Sequence, residues 1–176
     1  MKNKILWITR TAVMLALLVV VQYVTSFIPK PVQQYITGSC VNAVLAVAVL
    51  MSGFWSGACV AIFSPFVAFV FGIGPQLLPI VPAIAAGNLV FVGILYWIHG
   101  SAPKLLRKAL AWLGAALCKF ATLYLLVVQL ICNVLPLKQP QIDTFTAMFS
   151  LPQLITALIG GGIAILIIPA LKKAVK

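Results

Sequence analysis

Residues 109–135 read ALAWLGAALCKFATLYLLVVQLICNVL, a run whose one charge is Lys119. About 20 apolar residues suffice for a helix to cross the hydrocarbon core of a bilayer, so this segment predicts a membrane-spanning helix with length to spare. Lys104, Arg107 and Lys108 stand before it and Pro136 follows it. The cations set its orientation, because Lys and Arg collect in short cytoplasmic loops.

Five more segments read the same way. They cover residues 6–27, 37–52, 57–71, 78–98 and 151–168. Together with 109–135 they predict an all-α membrane protein of six transmembrane helices, a single transmembrane domain over 1–176. Pro65 falls inside the third segment and predicts a kink there. The Gly160-Gly161-Gly162 run in the sixth predicts tight packing against another helix. Lys2, Lys4 and Arg10 before an apolar run resemble a signal peptide, but the run is long enough to span and no small-residue cleavage site follows it, so it reads as a retained first helix.

Composition agrees. Only 7% of the residues are charged, where a soluble domain carries roughly a quarter. Mean hydropathy is +1.19. A net charge of +11 would suggest nucleic acid in a soluble chain, but here topology accounts for it. With both termini cytoplasmic, Lys2, Lys4, Arg10, Lys104, Arg107, Lys108, Lys172, Lys173 and Lys176 lie inside; only Lys30 and Lys138, with the single acid Asp143, lie outside. That asymmetry requires an even number of spans.

Much chemistry is excluded. No GxxxxGK[ST] motif is present, so the chain has no P-loop for ATP hydrolysis. No predicted span carries the carboxylate that proton- and sodium-coupled carriers usually place at mid-depth. The only histidine, His99, has no acid or thiol near it in sequence and reads as an interfacial, solvated side chain. Cys40, Cys59, Cys118 and Cys132 lie in apolar stretches without CxxC spacing and read as small hydrophobes, so no metal, cofactor or catalytic residue is expected.

The intramembrane polar residues point elsewhere. Lys119, Thr122, Gln129 and Asn133 project onto one face at α-helical periodicity. Asn42, Asn88, Gln76, Gln153 and Thr156 belong to other helices or their ends, and Gln33, Gln34 and Tyr35 to the loop after the first. Except for Asn88 and Lys119 they fall in the outer half, which predicts a polar cavity open to the outside. The plainer alternative is that each amide cross-links neighbouring helices, at about 0.6 kcal/mol apiece. For Lys119, without an acid to pair with, two readings stand: it snorkels to the inner interface, or it faces the cavity and meets an anionic group.

Three segments carry a family resemblance. They are Thr9-Arg10-Thr11-Ala12-Val13-Met14-Leu15-Ala16-Leu17, Tyr35-Ile36-Thr37-Gly38-Ser39 through Asn42, and Pro82-Ala83-Ile84-Ala85-Ala86-Gly87-Asn88. With the length and the six-span plan, the chain resembles the substrate-binding S-components of energy-coupling factor (ECF) vitamin transporters. The resemblance implies a subunit of a prokaryotic cell membrane that captures a vitamin or related micronutrient from outside. It implies docking on a transmembrane T-component driven by two cytosolic ATPases, with Ala12 and Ala16 as the docking motif. It further implies an outer-half site covered by the loop after the first helix, here Pro29–Ile36, and toppling of the subunit to deliver its cargo. The candidate substrate-binding residues are Gln33, Tyr35, Asn42, Gln76, Asn88, Lys119, Gln129, Asn133 and Gln153. Two rival readings remain, a self-contained oligomeric facilitator or channel and a ligand-free structural membrane protein.

Overall fold

The computed structural model describes residues 2–30, 32–99 and 104–174. Pro31 within the Pro29–Ile36 stretch, Lys176 and the side chain of Lys2 lie outside the described residues. Among the described residues every regular element is a helix, without strands. Helix α1 (Lys2–Thr25) is followed by α2 (Val32–Ser52), α3 (Phe54–Val70) and α4 (Ile80–His99). Helix α5 (Leu105–Leu123) continues as a π-helical segment (Tyr124–Ile131) into the single turn α6 (Cys132–Val134). Helix α7 (Gln139–Met148) precedes α8 (Leu151–Ala174).

Five segments are long and apolar enough to cross a membrane, and α3, at 17 residues, is apolar but shorter. Glycines fix the bounds of α3. Gly53 at φ 89° makes the one-residue break after α2. Gly72 and Gly74, also at positive φ, end α3, where the Ile73 amide turns back to the Ala68 carbonyl. Only glycine adopts these angles freely.

Helix α2 lies at the centre, packed on α8, α1, α3 and α4. Small residues permit this closeness. A Cβ at Gly160 would collide with the Ser39 carbonyl oxygen, and one at Gly161 would stand 2.6 Å from the Trp112 ring. The Trp112 indole N–H in turn donates to the Leu158 carbonyl at 2.8 Å, tying α5 to α8. Two apolar clusters result: an alanine-rich one around α2 (Ala46, Ala48, Ala61, Ala115, Ala164) and a second joining α4, the π segment and α7 through Ile80, Val127, Phe145 and Phe149.

The two ends of the bundle differ. At one, the Thr11 hydroxyl donates to Ser56, Arg107 caps the Ile98 carbonyl, and His99 is buried facing Lys172, Lys108 and Arg107. His99 is therefore not the solvated side chain expected from sequence. At the other end, Thr37 donates to Thr25, and the Gln34 amide reaches the Met148 carbonyl at 2.7 Å.

Two segments depart from expectation. Helix α2 begins at Val32 rather than residue 37, because Val32 to Ile36 wind into its first turn and the Gln33 amide closes on the Pro29 carbonyl. The second half of the Pro29–Ile36 stretch is thus helical rather than loop. Helix α7 fills what reads as a loop in the sequence. Pro140 lies in its first turn, the Lys138 amide is received by the Gln141 side chain, and Phe145 and Phe149, one turn apart, bury against the second cluster.

Candidate functional site

Where α1, α2, α3, α4, α5, α7 and α8 converge at the α7 end lies a cavity of about 470 Å³. Such a volume is ordinary for a small-molecule site. Its floor is built around Lys119, only 3% exposed. The ammonium donates to the side-chain oxygens of Asn42, at 2.5 Å, and Asn88, at 2.7 Å, and lies 5.5 Å from the centre of the Phe91 ring. Both asparagines are buried to 1% exposure. With their carbonyl oxygens turned to the lysine, their amide groups point away, Asn42 toward Thr156 and Asn88 toward Ser64 and the Ala61 carbonyl.

That last contact has a backbone cause. Pro65 has no N–H to return to Ala61, four residues earlier. The carbonyl left free is where the Asn88 amide goes, at 3.4 Å. A proline in α3 thereby orients the α4 asparagine that holds the α5 lysine. Of the two sequence readings of Lys119, burial among these groups excludes snorkelling.

The walls are largely apolar, with Val41, Phe69, Ile73, Ile84 and Phe149 among them, and the mouth carries Lys30, Gln33, Gln34 and Gln153. Gln153 also donates to the Met148 carbonyl, fixing the α7–α8 turn. One wall is α7, contributing Thr144, Ala147, Met148 and Phe149. Around the mouth stand α7, the 73–75 turn and, from the end of the loop after α1 and the first turn of α2, Lys30, Gln33 and Gln34.

Five of the nine expected binding residues are brought together here: Gln33, Asn42, Asn88, Lys119 and Gln153. Four are not among the cavity-lining residues. Tyr35 projects outward from the first turn of α2, and Gln76 is exposed in the turn before α4. Gln129 and Asn133 are displaced by the π segment. Its wider turn advances fewer degrees per residue, and over eight residues the lag is on the order of a quarter-turn or more. Both end exposed. Asn133 instead donates to the Gln129 and Val128 carbonyls at the end of the π segment, at 2.7 and 3.3 Å, and Gln129 donates to the Tyr124 hydroxyl.

Sequence reasoning missed Gln22 of α1. It is 6% exposed, it lines the cavity, and its side-chain oxygen has no hydrogen-bond donor among the described residues. The signal was present, an amide inside an apolar span. Thr37, Ser64 and Thr144 also line the cavity unforeseen. Ala12 and Ala16 are both exposed on α1, away from this site.

A helical bundle of several membrane-crossing segments enclosing a half-open cavity over a buried polar floor is a multi-pass membrane protein equipped to bind a small molecule. The family model for the ECF transporter substrate-specific component matches residues 7–172, nearly the whole chain, and the chain belongs to that family. It is a substrate-specific subunit of an ECF transporter, not a catalyst; in such transporters ATPase activity resides in partner subunits. No curated protein and no solved structure matches it.

Proposed function

We propose that this subunit captures a small micronutrient from outside a prokaryotic cell in the Lys119 cavity and delivers it by docking on a T-component energised by two ATPases. The carrying observation is the placement of the cavity. It opens at the bundle end that bears Lys30, Lys138 and Asp143, opposite the end where Arg107, Lys108 and Lys172 gather. By the positive-inside rule the first end is external and both termini are cytoplasmic. The chain's one acid, Asp143, is exposed on α7, so no carboxylate serves a coupling ion, and the energy has to come from elsewhere.

Docking falls to α1. Only 11% of its spanning window is buried, and Ala12 and Ala16, one turn apart, leave a shallow strip where a partner helix approaches closely. The Lys119, Asn42, Asn88, Gln33 and Gln153 side chains make the binding site. Purified subunit should bind ligand alone, whereas uptake into vesicles should require co-reconstituted T-component and ATPases with ATP. Ligand flux through vesicles containing this chain alone would replace the reading with a facilitator.

A further inference from the structure

Lys119 is held but not neutralised. Two of its three N–H groups go to neutral amide oxygens, and among the described residues no third acceptor engages it. The only acid in the chain, Asp143, is engaged by Gln139 at 2.9 Å on the exposed face of α7 and does not line the cavity. A second cation, Lys30, stands at the mouth. A buried charge without a counter-charge is costly, and any group that supplies one on binding gains accordingly. At a different place on the wall stands Gln22, nine-tenths buried, whose side-chain oxygen has no hydrogen-bond partner among the described residues. Much of the remaining wall is apolar, Val41, Phe69 and Ile84 among it.

We propose that the substrate is a small organic acid. Its carboxylate meets Lys119, an apolar midsection lies along the wall, and a hydroxyl or amide N–H donates to Gln22. A carboxylate suits the floor better than a phosphate, because one free ammonium N–H flanked by two amide oxygens cannot satisfy three phosphoryl oxygens. A cationic substrate is excluded by Lys119 and Lys30 with no acid beside them. This inference rests on the capture role proposed above and names the chemistry of that same site.

The test uses the full chain in detergent and the aqueous small-molecule extract of cells, split on an anion-exchange resin into retained and unretained fractions. Thermal unfolding is followed by tryptophan fluorescence. The retained fraction should raise the midpoint, and methyl esterification of that fraction should abolish the effect. Stabilisation by the unretained fraction alone would overturn the organic-acid assignment and leave the capture role standing. Stabilisation that survives esterification but not phosphatase treatment would also overturn it, in favour of a phosphate. No response to either fraction would overturn the capture role itself. Once the active acid is purified from the retained fraction, Lys119→Met should weaken its binding on the order of 30- to 100-fold, the scale of a charge-assisted hydrogen bond. Gln22→Met should weaken binding on the order of 3- to 10-fold, and it keeps the test open should the lysine variant fail to fold. Unchanged affinity in both variants would overturn the assignment.

Discussion

Helices α1 and α4 have nearly the same mean hydropathy over their spanning windows, 2.0 and 1.9, yet 11% of one window is buried and 56% of the other. Hydropathy reports that a segment leaves water, and says nothing about whether lipid or protein receives it. What separates the two helices is where their small and polar residues face. In α4, Gly87 turns to Leu123 of α5, and Asn88 turns to Lys119. In α1, Ala12 and Ala16 turn outward, and only Gln22, near the far end, reaches the cavity. One helix uses its small residues to close the molecule, the other to leave a surface open. In the proposed reading, a peripheral α1 serves docking and an internal α4 serves binding.

The division breaks most visibly at α1. Ala12→Trp or Ala16→Trp should abolish uptake and assembly with the T-component, while ligand affinity of the isolated subunit stays within about twofold, since neither residue lines the cavity. Normal assembly and uptake by both variants would show that α1 is lipid-facing and nothing more. The converse holds at α4. Asn88→Ala removes one of the two oxygens on Lys119 and the amide on the Ala61 carbonyl. Leaving such buried groups unpaired costs about 1–3 kcal/mol, so affinity measured by calorimetry should fall on the order of tenfold or more. Assembly with partners should persist.

A matched pair of small-to-large changes sharpens the comparison further. A Cβ at Gly87 would stand 2.7 Å from Leu123 Cγ, so Gly87→Val should overpack the α4–α5 contact and cost about 1–3 kcal/mol. Ala16→Val adds the same kind of bulk to an exposed face and should stay within about 0.5 kcal/mol. Thermal unfolding of the two variants side by side decides it; equal losses would mean that α1 is packed as α4 is.

Much of this was legible before the structure. The apolar runs marked α1, α2, α4, α5 and α8, and the intramembrane polar inventory picked out Asn42, Asn88, Lys119, Gln33 and Gln153. These were readable because cost in lipid is local, a property of residue type and run length. What stayed hidden depended on phase or on partners. Helix α7 is short and its hydrophobic face is two phenylalanines on a polar stretch, a weak signal beside the long apolar runs. The Pro65–Ala61–Asn88 connection joins three residues that no single-helix pattern relates. The helical start of α2 at Val32 was hidden because a proline-flanked polar stretch looks like a loop whether or not its second half winds into the next helix.

Helix α5 and its π-helical continuation contain both kinds of region in one segment, and they give the smallest expected effect. Up to Leu123 the α-helical phase holds, and Lys119 faces the interior. Beyond it the π turns rotate Gln129 and Asn133 to the exposed side, although α-helical counting sets them on the lysine's face. Gln129→Ala and Asn133→Ala should therefore change ligand affinity by less than about twofold, the range of exposed substitutions distant from a site. Asn133→Ala should still cost about 1 kcal/mol of stability, because it removes the side-chain hydrogen bonds to the Gln129 and Val128 carbonyls. A large loss of affinity in both variants, with stability unchanged, would mean that the α-helical phase runs on to Asn133 and that the cavity extends along it.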